Sequence, residues 1–344
     1  MSWPGGGGGS GYVYAGAFML LEELGLAPRL IVGTSIGSLL GLFRARRTRL
    51  DLGPVTELAR QLSWRNVFLL PHVKSRYGVP AALRLYLRKT IAHLFQHPTE
   101  ARTLRMRELE IPLRIVVAGV TGGALSHDLE YYEHLMDDVV GQDHVRWSAL
   151  RRTVGNVIDA LGELVSRPTL LKEIVIGGDE LTGQFDVVDA VGFSTAVPGL
   201  IHYDILREDA HMHTLMDQLF QRHGVVRLID GGLVNNVPSR VAWQHVQRGD
   251  IRTRNAFILG MDCFAPQLTR NVLMHPIQRL VRPQVNANAA FAGFTKTFAQ
   301  VLSPLDVVPD FKKVQLAMRN GHRELEHDRR FLRDMLTPLQ PLTP

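Results

Sequence analysis

Apolar runs too short to be helices alternate along this chain with stretches of helical period. Leu30-Ile31-Val32 reads as a buried strand, and the residues from Ser38 to Phe43 continue at helical length into Arg44, Arg46 and Arg47. A helix is expected upstream, from Ala15 to Leu24. Ile111 to Val120 reads as a second buried strand. Val226 to Asp230 is a third, ending in a Gly-Gly turn with a helix from about Pro238, and Phe257 to Met261 is a fourth. Residues 55 to 108 are helical in pattern and poor in glycine. There Leu83, Leu87, Ile91, Leu94 and Phe95 fall on one helical face, while Arg84, Arg88 and Lys89 fall largely on another. That spacing predicts a basic amphipathic helix, packed on a core, laid on a membrane surface or capping an acyl channel. Residues 130 to 175 read as a longer helical insertion, with Trp147 and Leu161 to Val165 available to pack. After Asp262 the pattern changes: proline, asparagine and alanine recur from 265 to 295, a charged helix is expected over 312 to 335, and Thr337 to Pro344 read as a disordered end.

Composition narrows the class. The chain has 344 residues, 45% hydrophobic and 21% charged, enough for one large core with an inserted cap or for two small domains. Its one cysteine, Cys263, excludes an intramolecular disulfide framework, and no apolar run has the length of a membrane span or the form of a signal peptide. A reducing, cytoplasmic setting is the default expectation. A net charge of +6 permits attraction to anionic headgroups or to nucleic acid. No zinc-finger spacing, RNP-like aromatic motif or helix-turn-helix signal accompanies it, so nucleic acid is not an expected partner. Arg44, Arg46, Arg47 and Arg49 also suit a helix C-terminus.

The candidate chemistry begins at Gly33-Thr34-Ser35-Ile36-Gly37, between the first strand and its helix. At such a turn the flanking glycines permit a tight backbone, the serine hydroxyl is lifted off the sheet, and the helix N-terminus is aimed at it. Partial positive charge there favours the oxyanion that follows nucleophilic attack. Taken alone, the pentapeptide reads equally as a glycine-rich structural turn. Upstream, Gly5 to Gly9 is an unbroken glycine run followed by Ser10-Gly11. Such a loop exposes backbone N–H groups and cradles phosphate in nucleotide-binding folds. No G-K-S/T follows it, and Glu22-Glu23 lies inside the expected helix, which argues against a P-loop and a dinucleotide fold. An oxyanion hole or a flexible linker remains. Asp230-Gly231-Gly232, taken alone, is an aspartate-capped turn.

In that order the glycine loop, the elbow and the Asp-Gly-Gly turn resemble the patatin family of lipid acyl hydrolases. That family's pattern is a G-G-G-G-x-R-G loop, a G-x-S-x-G elbow and a D-G-G/A motif. Phe185 to Leu200 is similar to the helix and proline turn that precede the family's D-G-G strand, and the likeness covers roughly residues 5 to 262. It implies an α/β protein with a three-layer α/β/α fold, helical insertions at about 55–108 and 130–175, and a C-terminal helical extension over 263–344. It further implies a Ser-Asp dyad without histidine, in which Ser35 is the nucleophile and Asp230 its base. The N–H groups of about Gly6, Gly7 and Gly8 would form the oxyanion hole, and Gly33, Gly37, Gly231 and Gly232 would support elbow and turn. The implied reaction cleaves ester bonds of phospholipids, lysophospholipids or acylglycerols through an acyl-enzyme, independently of calcium and with no metal or organic cofactor. A lipid substrate and peripheral membrane contact are the expected partners.

The chain departs from the family pattern in places. Ser10 stands where the loop usually carries arginine, and Tyr14 where histidine is common. Only Met1-Ser2-Trp3-Pro4 precede the loop, where the family has a hydrophobic strand, so a lost strand, a fragment or a misassigned start is expected. Acyl transfer to an alcohol and a catalytically silent lipid- or protein-binding scaffold are the alternative functions. His211 and His213, near His202 and His223, form a weak metal-pair signal without a carboxylate or cysteine set. A Ser-His-Asp triad using His275 or His322 is disfavoured by the D-G-G motif.

Overall fold

The computed structural model describes residues 2–61, 63, 67–69, 76–79, 81–122, 169–266, 275–304 and 306–336. Strands β1 (Ser2–Pro4) and β2 (Ile31–Thr34) belong to the larger of two sheets, β3 (Phe68–Leu69) and β4 (Ala81–Leu85) to the smaller. The larger sheet continues with β5 (Leu113–Thr121) and β6 (Leu171–Ile176), and β7 (Gly199–His202) joins the smaller. β8 (Val225–Asp230), β9 (Leu259–Asp262) and β10 (Phe294–Thr297) return to the larger sheet. Its order is β10-β9-β1-β2-β5-β6, parallel from β10 to β5, with β6 and β8 both antiparallel to β5.

Eleven helices can be traced among the described residues: α1 (Val13–Glu23), α2 (Ile36–Ala45), α3 (Gly53–Gln61), α4 (Leu87–Ile91), α5 (Glu180–Gly183), α6 (Val187–Ser194), α7 (Ala210–His223), α8 (Ser239–Gln247), α9 (His275–Ala289), α10 (Phe311–Glu326) and α11 (Arg329–Leu336). The period-two alternation of the strands decides which layer each contacts. Ile31, Ile115 and Val117 pack with Leu42 and Phe43 of α2 and with Val188 and Val191 of α6. Their neighbours Val32 and Val116 pack on the opposite face with Val241, Ala242 and Val246 of α8. Helices on both faces of a mostly parallel sheet make the three-layer α/β arrangement, and explain why β5 reads as a continuous apolar run rather than an alternating one.

Four features differ from the sequence expectations. Residues 55 to 108 are not helical throughout, and the predicted basic amphipathic helix forms only in its later part: Leu83 and Arg84 lie in β4, whereas Leu87–Ile91 is α4 and Ala92–Phe95 a 3-10 turn. β4 pairs with β3 along one edge and β7 along the other, and that pairing overrides the helical period of a short window. Arg88, expected on the basic face of that helix, forks onto buried Asp189 at 2.9 and 2.5 Å, with Asp186 3.0 Å away. Leu171 to Val175, the end of the expected second insertion, lie in strand β6; residues 123–168, with Trp147 and Leu161 to Val165, lie outside the described residues, as does 337–344.

Before the glycine loop, where a lost strand was expected, Ser2–Pro4 forms a strand that pairs with both β2 and β9. At the other end, residues 263–344 include structure integral to the body of the fold. β10 extends the main sheet, and α10 packs against α1 so closely that a Cβ on Gly321 would sit 1.9 Å from the Val13 carbonyl oxygen.

Candidate active site

One edge of β5 brings the two motifs together. Thr34, the last residue of β2, is the register partner of Val116, and Asp230, the last residue of β8, is the partner of Val117. β2 and β8 therefore approach head to head along the same edge, and Ser35 leaves its strand where Asp230 ends its own. A Cβ on Gly231 would lie 2.1 Å from the Val116 carbonyl oxygen, so the aspartate turn reaches this position only with glycine there.

Ser35 has φ 53° and ψ −129°, a left-handed conformation that costs a non-glycine residue free energy and lifts its side chain off the sheet. The strained peptide is held: the Ser35 N–H donates to Ser194 Oγ at 2.8 Å, and Ser194 Oγ donates to the Val116 carbonyl at 2.7 Å. Gly33 lies against the start of α2, where a Cβ would meet Ser38 Cα at 2.6 Å, and Gly37 lies in the first turn of that helix.

Ser35 Oγ donates to Asp230 Oδ2 at 2.6 Å, and the other carboxylate oxygen accepts the Gly232 N–H at 2.7 Å. The Asp230 N–H donates to the Ala196 carbonyl at 2.9 Å. Burial raises the Asp230 carboxyl to about 6, and the bonds from Ser35 and Gly232 pull in the opposite direction by favouring its ionised form. Such a carboxylate is poised to accept the serine proton near neutral pH. Among the described residues, none lining this pocket is a histidine. His322 Nε2 meets Glu23 at 3.0 Å, and His275 opens α9; His202 and His213 face the second cavity considered below.

The glycine loop closes the site, with one correction to its expected donors. The Gly6 N–H is already bonded to the Asn236 carbonyl at 3.1 Å, so in this arrangement it is not free for an oxyanion. Gly5 donates to Met261 and Gly9 to Pro304, whereas the N–H groups of Gly7 and Gly8 have no acceptor among the described residues. Gly8 has φ +53°, and a Cβ there would lie 2.3 Å from the Pro304 carbonyl oxygen. Residues 302–304 and 306–307 strap this loop: Ser10 Oγ donates to the Leu302 carbonyl at 3.0 Å and Tyr12 Oη to that of Val307 at 3.3 Å. Ser10 thus occupies a buried site bonded to the strap. Tyr14 Oη donates to the Met261 carbonyl and accepts the Cys263 N–H, both at 3.1 Å.

Behind Ser35 opens a pocket of about 160 Å³, walled by apolar side chains that include Leu39, Phe43, Leu58, Leu87, Ile91 and Ile201. Asn236 also lines it, with a buried Oδ1 that has no hydrogen-bond partner among the described residues. Sequence reasoning missed Ser194, Asn236 and the strap. Asn236 lies within the strand-and-turn segment around Asp230, but nothing in its spacing marks it as pocket-facing.

The patatin-like phospholipase family model matches residues 5–243, and the chain belongs to that family. Membership brings with it lipid acyl hydrolysis as the general chemistry. Comparison with curated proteins finds no significant match. Among the described residues, no helix is long and apolar enough to cross a membrane.

Proposed function

We propose that the chain is a serine lipid acyl hydrolase that cleaves carboxylic esters of phospholipids, lysophospholipids or acylglycerols by a Ser35–Asp230 dyad. The observation that carries this reading is the 2.6 Å hydrogen bond from Ser35 Oγ to Asp230, at the floor of an apolar pocket. Asp230 takes the proton as Ser35 Oγ attacks the ester carbonyl, and the N–H groups of Gly7 and Gly8 with the N-terminus of α2 stabilise the oxyanion. As the tetrahedral intermediate collapses, Asp230 returns the proton to the leaving oxygen, so the alcohol departs and the acyl group stays on Ser35 Oγ; water, deprotonated by Asp230, then attacks that ester, and the same proton passes back to Ser35 Oγ as the fatty acid leaves. The apolar wall holds the acyl chain, which fixes the carbonyl beside Ser35. Peripheral contact with a lipid surface supplies the substrate.

The test is labelling by a fluorophosphonate probe together with fatty-acid release from mixed-lipid vesicles, for wild type, Ser35→Ala and Asp230→Asn. Labelling and release by wild type, both lost in Ser35→Ala and crippled in Asp230→Asn, are the expected results. A folded wild type that neither labels nor hydrolyses overturns the reading.

A further inference from the structure

The small sheet is a partition between two cavities. Successive side chains of a strand point to opposite faces. Leu85 of β4 and Ile201 of β7 line the pocket of Ser35, while Arg84 and His202, register partners across the same pair of strands, line a second cavity of about 270 Å³. Arg76, Asp204, Arg207 and His213 form other parts of its wall.

The charge in this cavity is not balanced. Arg76 pairs with Asp217 at 3.1 Å. The Asp204 carboxylate is engaged by backbone, accepting the N–H groups of Arg76, Tyr77 and Ile205 at 2.6, 3.2 and 3.0 Å. Arg84 and Arg207 have no carboxylate partner among the described residues; Arg84 only stacks its guanidinium 5.9 Å from the Tyr86 ring centroid. Two free guanidinium groups in one concavity are an anion site, and the planar fork suits the oxygens of phosphate.

His202 refines the choice of anion. It is only 4% exposed. Its Nδ1 lies 3.1 Å from the Val79 carbonyl, which can only accept, so Nδ1 carries the proton. Burial holds the ring below its ordinary pKa, against the pull of Asp204, and Arg84 and Arg227 push the same way as burial. The neutral ring then presents Nε2 as an acceptor, without a partner among the described residues. His213 offers nothing comparable, because its Nδ1 accepts from the Arg76 guanidinium at 3.3 Å and its Nε2 donates to the Arg207 carbonyl.

We propose that this cavity is a binding site for a phosphate monoester, separate from the pocket of Ser35. Arg84 and Arg207 hold the anionic oxygens, and the P–OH proton of the singly protonated monoester is donated to His202 Nε2. A phosphodiester carries no such proton, so the site prefers monoesters to diesters. The source is either the headgroup of a phosphatidate-type lipid or a soluble phosphorylated metabolite.

The experiment titrates the full chain calorimetrically with glycerol phosphate and with dimethyl phosphate, and measures cosedimentation with phosphatidate and phosphatidylcholine vesicles. Glycerol phosphate is expected to bind wild type and to bind Arg84→Gln/Arg207→Gln about tenfold or more weakly, as loss of charged hydrogen bonds requires. Dimethyl phosphate binds wild type less well than glycerol phosphate. His202→Asn, whose amide keeps the donor to Val79 but removes the Nε2 acceptor, erases that preference. Thermal unfolding establishes that each variant is folded. Cosedimentation with phosphatidate vesicles that is lost in the double variant assigns the headgroup, whereas binding of the soluble monoester alone assigns a metabolite. Equal affinity of wild type and folded double variant, equal affinity for monoester and diester in wild type, or no binding of either monoester probe overturns the proposal.

Discussion

The two halves of the candidate site are anchored by different parts of the molecule. Ser35 and Asp230 stand at adjacent positions along one edge of β5, so their separation is set by strand register. The glycine loop opposite them follows the three-residue β1, and its outer side is held by hydrogen bonds to Leu302, Pro304 and Val307. The family match ends at 243, yet the supports of the loop lie near 300. The comparison teaches that the proposed reacting pair lies within the stretch that matches the family, whereas the donors proposed for the oxyanion depend on a segment beyond it.

The largest effects are expected in the sheet-anchored half. Ser35→Ala abolishes fluorophosphonate labelling, and Asp230→Asn lowers kcat by about 10²- to 10⁴-fold, the range for removal of a general base. Esterase kinetics at saturating substrate measure both. Undiminished turnover by folded Ser35→Ala would break the comparison at once, since the reactive group would then lie elsewhere.

Next comes the strap-anchored half. In Gly8→Ala the new Cβ meets the Pro304 carbonyl at 2.3 Å in a backbone with φ +53°, so either the loop or the strap must move. With one proposed donor displaced, kcat falls about 10²- to 10³-fold while KM changes little. A Gly8→Ala enzyme with full kcat removes the loop from the mechanism. A milder probe is Ser10→Ala, which leaves the Leu302 carbonyl without its donor. Chemical denaturation is expected to register a loss of about 1–3 kcal/mol, with a smaller effect on kcat than Gly8→Ala produces. Equal stability of Ser10→Ala and wild type shows that the strap needs no side-chain bond to the loop.

The same division decided what was legible in the sequence. Ser35 and Asp230 are marked by local grammar, because a strand, a glycine turn and a helix follow one another within a few residues of each. The three-layer arrangement was likewise readable from the family motifs. Gly6 was misread as a free donor because its bond to Asn236 joins residues far apart in the chain. The expected amphipathic helix is cut short at Arg84 for a related reason. Helical spacing in that window could not reveal β7 pairing with β4, or the buried carboxylate that draws Arg88 inward. Ser2–Pro4 is too short to announce itself as a strand, and becomes one only because β2 and β9 leave an open place between them.

The smallest expected effect sharpens the comparison most, because it separates a working carboxylate from a turn cap. Burial raises Asp230 from 3.8 to about 6, so the folded state holds its proton more tightly than the unfolded chain does. The stabilisation linked to that proton is complete below the unfolded value and is lost as pH rises from there to about 6. Catalysis needs the opposite form, so kcat/KM rises along an acid limb near pH 6. Asp230→Asn has no such proton to lose. Its stability relative to wild type should therefore improve by about 1 kcal/mol between pH 5 and pH 7, measured by urea unfolding. Ser35→Ala removes a bond that favours the carboxylate, and Asp230 in that variant should titrate above 6, as carboxyl carbon NMR can follow. A pH-independent stability gap, together with an unchanged titration in Ser35→Ala, would mean that Asp230 is ionised throughout. In that case the register along β5 delivers a fixed turn cap, and the base that activates Ser35 must be sought on the strap side of the site.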